Sequence, residues 1–138
     1  MNGEFEHNVD AKGRLIFPAK LRENLGDKFV VAKGLDDCLY VYALTDWAVF
    51  EENILALPVA KSRKMNRFFC ASATECEPDG QGRILLPQAL RDYAGIKREV
   101  VVLGLKGHSE IWDAERWKAY NEDMTSGSIA AIMEELGF

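Results

Sequence analysis

The sequence predicts a mixed α+β, strand-rich fold made of two copies of one small hairpin unit, clasped into a single pseudo-dimeric body. Three observations carry this expectation. A segment near the start recurs past the middle of the chain. Each copy alternates short strand-like apolar runs with a single short helical stripe. Each copy also spans only about 45 residues, too few to bury a secure core alone, so the two are expected to complete one another's sheets.

The repeat organises everything else. Asp10-Ala-Lys-Gly-Arg-Leu-Ile-Phe-Pro-Ala-Lys-Leu-Arg-Glu-Asn-Leu-Gly26 aligns, at an offset of 69, with Asp79-Gly-Gln-Gly-Arg-Ile-Leu-Leu-Pro-Gln-Ala-Leu-Arg-Asp-Tyr-Ala-Gly95. Asp10/Asp79, Gly13/Gly82, Arg14/Arg83, Pro18/Pro87, Leu21/Leu90, Arg22/Arg91 and Gly26/Gly95 are identical, and after a one-residue shift Trp47 lies over Trp117. In each copy a strand (around Glu6 to Val9, and Ala73 to Glu77) enters an Asp-x-x-Gly-Arg loop, and an apolar strand leaves it (Leu15 to Phe17; Ile84 to Leu86). Three loop residues ending in glycine fit a hairpin whose type I turn closes with a left-handed residue, the role expected of Gly13 and Gly82. Asp10 and Arg14, like Asp79 and Arg83, then flank the turn as cross-strand neighbours.

Pro18 and Pro87 are expected at the first helical position, with Leu21/Leu25 and Leu90/Ala94 on one face and Gly26 or Gly95 just past the end. Strands follow at Phe29 to Ala32 and Cys38 to Tyr42, and at Val100 to Leu103 and Ser109 to Trp112, with turns at Gly34 and Gly107. Between the copies, Thr45 or Asp46 is expected to cap a helix bearing Trp47, Phe50, Ile54 and Leu57, which Pro58 ends. A second linker helix starts near Lys61. Its basic residues Lys61, Arg63, Lys64 and Arg67 read either as a solvated face or as part of a positive surface. After Thr125, Ser126 or Ser128 is placed to cap a helix with Ile129, Ile132, Met133 and Leu136 as an apolar stripe. The expected division is repeat one at 5–47, helical linker at 48–73, repeat two at 76–119 and an acidic, amphipathic tail at 120–138.

The formal net charge of −5 argues at first against nucleic acid, because lysine and arginine dominate non-specific DNA affinity. Its distribution reverses that. Seven of the 22 acidic residues but only two of the 17 basic ones lie from His108 onward, which leaves 15 of each in the body. The body can therefore carry a local positive face. Cys38, Cys70 and Cys76 form an odd set without a CxxC pair in a chain with two histidines, so reduced thiols are expected and neither metal nor cofactor. The opening Met1-Asn2-Gly3-Glu4-Phe5 shows no targeting character and no run reaches the length of a membrane span, so a cytoplasmic protein is expected.

Two Asp-x-x-x-Arg hairpins running into Gly-Arg-[Leu/Ile]-[Ile/Leu]-x-Pro, separated by a helical linker, resemble the MraZ family of the AbrB/SpoVT swapped-hairpin superfamily, from about Phe5 to Tyr120. That resemblance implies a double swapped-hairpin β-barrel with short helices. It also implies a sequence-specific transcriptional regulator, nucleoid-associated, that binds repeated promoter boxes of a division and cell-wall gene cluster as a ring-like homo-oligomer. By the same analogy the DNA-facing residues are Arg14 and Arg83, with Lys12 beside the first and Gln81 in its place in the second copy. That change weakens the case for equal grip by both hairpins.

A physical case for the arginines stands beside the analogy. A two-stranded ribbon fits the major groove, where a guanidinium can donate two bonds to one guanine. Lys12 suits phosphate. Asp10 and Asp79 are read as orienting the arginines, and the alternative is that each pair only staples its turn. Arg22 and Arg91 are the next DNA candidates or else ordinary helix-surface charges. Double-stranded DNA and further copies of the chain are the expected partners, with no membrane and no small-molecule substrate. An enzyme is disfavoured, because polar pairs that recur in both repeats look like a binding surface and not one asymmetric constellation. The rival reading is an antitoxin-like protein-interaction module that uses the C-terminal tail.

Overall fold

Neither copy of the repeat completes a sheet with its own strands. The computed structural model describes residues 2–138, and Met1 lies outside the described residues. In chain order the elements are β1 (Gly3–Asn8), β2 (Arg14–Ile16), α1 (Ala19–Leu25), β3 (Phe29–Lys33), β4 (Leu39–Ala43), α2 (Leu44–Leu55) and α3 (Val59–Cys70). They continue with β5 (Thr74–Cys76), β6 (Arg83–Leu85), α4 (Gln88–Ala94), β7 (Glu99–Gly104), β8 (Ser109–Asp113), α5 (Ala114–Glu122) and α6 (Ser126–Leu136). The protein is thus mixed and strand-rich, with a six-stranded sheet in the order β1-β7-β8-β4-β3-β5 and a separate two-stranded β2–β6 ribbon.

Every pairing is antiparallel, and the entry strand of each copy crosses to the other. β1 pairs with β7, Phe5 opposite Val102, and β5 pairs with β3, Cys76 opposite Phe29. The copies also meet at β4–β8, with Tyr40 opposite Glu110, and along the ribbon, with Leu15 opposite Ile84. Both registers centre on corresponding positions of the repeat, as an approximate two-fold axis requires. The closed barrel expected from the resemblance does not appear as a ring of hydrogen-bonded strands among the described residues. β1 and β5 are the edges of the large sheet. The ribbon's strands are three residues long, and among the described residues the Val9–Leu15 bridge is what joins it to the chain leaving β1. Between the copies run the Phe17 N–H to Gly82 carbonyl bond at 3.0 Å and the Leu86 N–H to Gly13 carbonyl bond at 2.9 Å.

This exchange answers the core problem of two undersized units. One apolar cluster takes Val9, Leu15, Phe17, Leu21, Leu25 and Phe29 from the first copy and Ile84, Leu86, Leu90, Ala94, Val100 and Val102 from the second. It lies between the sheet and the ribbon with α1 and α4. The other sheet face carries two smaller clusters, Val30, Ala32, Trp47, Ile54 and Phe69 beneath α2 and α3, and Cys38, Val101, Leu103 and Trp112 with Trp117 of α5.

Several helix starts differ from expectation. Pro18 and Pro87 are N-caps with extended ψ of 123° and 147°, one residue before their helices. Both pyrrolidines still lack only an N–H that no helical carbonyl needs. Thr45 and Asp46 do not cap α2, which starts directly from β4 at Leu44 after an Ala43 N-cap. α2 ends at Leu55 with an Ala56 C-cap, so Leu57 lies outside it and Pro58 does not end it; Pro58 is instead the N-cap of α3, which begins before Lys61. Thr125, and neither Ser126 nor Ser128, is the N-cap of α6, and Ser128 completes a reciprocal capping box at 3.1 Å in both directions.

All three cysteines are free thiols. Burial pushes the Cys76 thiol up to about 11 and raises Cys38 further, while Cys70 is only partly buried. Because the thiolate is the nucleophile, an alkylating reagent at mildly alkaline pH is expected to modify Cys70 ahead of Cys38 and Cys76, which react only on unfolding. Mass mapping of the labelled protein checks this order.

Candidate nucleic-acid interface

Each Asp-x-x-Gly-Arg loop is organised by one carboxylate using both oxygens. Asp10 Oδ1 accepts the backbone N–H groups of Lys12 and Arg14, each at 2.9 Å, and Oδ2 accepts Nε–H of Arg14 at 2.8 Å. The second copy repeats this with Asp79, whose Oδ1 accepts from Gln81 and Arg83 at 2.9 and 3.0 Å and whose Oδ2 accepts from Arg83 Nε at 2.8 Å. Gly13 and Gly82 close the turns at φ 84° and 80°, in the left-handed region that favours glycine. The backbone bond from Arg14, with the Arg14 side chain and the Lys12 amide behind it, holds the Asp10 carboxyl below its usual range. Asp79 is lowered likewise, first by the Arg83 amide. A lowered carboxylate pKa keeps these contacts at neutral pH and loses them as pH falls through the lowered value.

The ion pairs use only one edge of each guanidinium. The side chains of Arg14 and Arg83 are about a third exposed, at 33% and 27%, and among the described residues their terminal nitrogens have no hydrogen bond. Asp10 therefore fixes the arginine through Nε and leaves its fork free to donate. Stapling and recognition are compatible in this geometry. Lys12 and Gln81 stand exposed at the turn tips.

The ribbon adds two residues that the sequence reading did not single out. Leu15 and Ile84 point inward and are buried, whereas Ile16 and Leu85 are 51% and 59% exposed. By strand alternation these two share the outer face with Arg14 and Arg83. Register sets Arg14 beside Leu85 and Ile16 beside Arg83. The missed signal is the two-residue spacing, which puts an aliphatic on the same face as each arginine.

Arg22 and Arg91 are not simple helix-surface charges. Each is half-buried and reaches the turn of the opposite copy. A Cβ on Gly13 would lie 2.8 Å from Cζ of Arg91, and one on Gly82 would lie 3.0 Å from Nη2 of Arg22. Arg91 also donates Nε–H to the Leu86 carbonyl at 2.9 Å, while the buried Nε of Arg22 has no hydrogen-bond partner among the described residues. Lys61, Arg63, Lys64 and Arg67 are exposed on α3 and take no part in the turns. No cluster able to hold a metal ion occurs among the described residues.

The close approach makes Gly13 doubly demanding. Gly13→Ala is expected to destabilise by about 1–2 kcal/mol from the left-handed backbone alone, with a further cost for displacing Arg91. Gly80→Ala is the matched control, since the space around Gly80 is open and Ala11 stands at that position in the first copy. Thermal melts of the two variants are expected to differ clearly, with Gly80→Ala close to the parent.

The comparisons agree with this doubled architecture. The family model described as "MraZ protein, putative antitoxin-like" matches twice in tandem, over residues 1–67 and 69–136. The chain is 50% identical to the "Transcriptional regulator MraZ" of Symbiobacterium thermophilum, with 99% of each chain covered. It is 49% identical to the protein of that name from Caldicellulosiruptor bescii, covering 98% of this chain and 97% of the relative. With the one from Desulforamulus reducens it shares 54% identity, over 86% of this chain and 85% of the relative. A family match over nearly the whole length and relatives near half identity establish that the chain belongs to the MraZ family.

Proposed function

We propose that the chain is a sequence-specific DNA-binding transcriptional regulator and not an enzyme, with the β2–β6 ribbon and its two turns as the DNA surface. The observation that carries this reading is the pair of equivalent Asp–Arg turns, which present Arg14 and Arg83 on one solvent face with their terminal nitrogens free. The regulator names of the relatives support it. Arg14 and Arg83 contact bases, Lys12 and Gln81 contact the backbone beside them with unequal strength, and Asp10 and Asp79 orient the arginines. Arg22 and Arg91 back the turns and add positive charge behind them. The strand exchange between copies supports a swapped-hairpin reading in which ribbon and sheet together enclose a barrel-like core. Repeats at 5–47 and 76–119, a linker at 48–73 and a tail at 120–138 fit that reading.

The proposed site of action is the promoter region of a bacterial division and cell-wall gene cluster, at repeated boxes, by a cytoplasmic, nucleoid-associated protein. No helix among the described residues is long and apolar enough to cross a membrane. The protein is proposed to act as a ring-like homo-oligomer. Ile132 and Leu136 on α6, at 50% and 69% exposed, and Val49, Leu55 and Val59 on α2 and α3 supply apolar surface for association. Linked subunits raise affinity for repeated boxes without new contacts. A footprint of the purified protein on the DNA upstream of its own gene tests the reading. Protection of short repeated segments is expected, and uniform weak protection indistinguishable from random DNA would overturn it.

A further inference from the structure

We propose that Ile16 and Leu85 are specificity-determining residues that read the C5-methyl groups of thymines next to the bases contacted by Arg14 and Arg83; this rests on the ribbon being the DNA surface. Two large aliphatics stand more than half exposed on the ribbon face that carries Arg14 and Arg83, while the residue between each of them and its arginine is buried. Their placement follows the repeat. Ile16 and Leu85 occupy the same position in the two copies, and each lies across the ribbon from the other copy's arginine. The outer face is thus a four-residue checkerboard of two hydrogen-bond donors and two apolar contacts.

That chemistry matches one occupant. In the major groove guanine offers two acceptors to an arginine fork, and thymine offers the one apolar group on any base edge. Alternate residues of a strand stand about 6.7 Å apart, close to two base-pair steps of about 3.4 Å each, so Arg14 and Ile16 can address bases on one groove wall. A phosphate-only surface gives the aliphatics no partner. The same face buried against a second copy would desolvate Arg14 and Arg83 opposite their own images, which like charge opposes. Thymine methyl groups next to guanines satisfy all four side chains together.

Removing the methyl groups alone isolates this contact. The probe is a duplex of the footprinted upstream segment, compared with the same duplex carrying deoxyuridine in place of every thymidine, and with a scrambled thymine duplex. The wild-type protein is expected to lose about four-fold in affinity per contacted methyl on the uracil duplex, or about fifteen-fold when both aliphatics are engaged. Ile16→Ala/Leu85→Ala should lose a similar factor on the thymine duplex, lose almost nothing further on the uracil duplex, and keep the wild-type melting temperature and size. That non-additivity is the signature of direct contact. Equal wild-type affinity for the thymine and uracil duplexes, with the scrambled duplex still rejected, overturns the methyl readout and leaves the DNA reading intact. A methyl-dependent loss that persists in the double variant, or a change of oligomeric size in it, also overturns the proposal. Failure of the wild-type protein to prefer the footprinted duplex over the scrambled one removes the DNA reading, and this inference with it.

Discussion

Arg14→Ala is expected to remove most specific DNA binding while leaving the fold intact. One bidentate arginine–guanine contact is worth about 1–3 kcal/mol, roughly 5- to 150-fold in affinity, and the loss recurs in every subunit that touches DNA. Its ion pair with Asp10 is solvent-exposed and screened, so little stability should be lost with it. Binding and folding therefore part company in this variant. Arg83→Ala should behave alike, and Asp10→Asn more gently, because the amide keeps an oxygen for the turn amides while loosening Arg14. Lys12→Ala is expected to weaken specific and scrambled DNA equally and to lower the salt slope by about one unit. Titrations of these variants against both duplexes, beside melting curves, check each outcome.

Phe17→Ala should have the opposite profile, a large loss of stability that removes binding only through unfolding. Phe17 is fully buried in the cluster shared by the two copies, and its ring lies 5.1 Å from that of Phe29. Truncating such a ring costs about 3–5 kcal/mol through lost transfer energy and the cavity left behind. For a domain of this size that is a large share of total stability. Since strands of both copies line the cluster, unfolding is expected to remain one cooperative transition, without one repeat melting ahead of the other. Chemical denaturation followed by tryptophan fluorescence and far-ultraviolet circular dichroism tests this. Coincident curves shifted to lower denaturant are predicted, and two separated transitions would mean that the copies do not share a core.

The parts legible in the sequence were those set by local chemistry. Gly13 and Gly82 announced left-handed turns because no other residue takes that conformation cheaply, and the Asp–Arg spacing announced the cross-turn pair. The order of strands and most helices followed from apolar periodicity, but α5 at Ala114–Glu122 was not anticipated. What stayed hidden depends on distant parts of the chain. Three successive apolar residues follow each arginine, and only the pairing of β2 with β6 decides that Ile16 and Leu85 are the ones that face water. For Arg22 and Arg91 the sequence leaves DNA contact and helix-surface charge equally open, because their contacts lie on the other copy's turns, which a linear pattern cannot reveal. The helix starts slipped by a residue or two for a simpler reason. Proline fits both the N-cap and the first helical turn, and at α2 the strand runs straight into the helix, which leaves Thr45 and Asp46 inside it.

The proposed DNA surface is the ribbon and its two turns, and not the basic α3 helix. Hydrogen exchange measured with and without the footprinted duplex tests it most directly, on the intact protein in whatever assembly it forms. Slowed exchange is expected in residues 10–17 and 79–86, larger in the first where Lys12 replaces Gln81, with unchanged exchange across residues 59–70. Slowed exchange confined to residues 59–70, with both hairpins unaffected by saturating DNA, would contradict it.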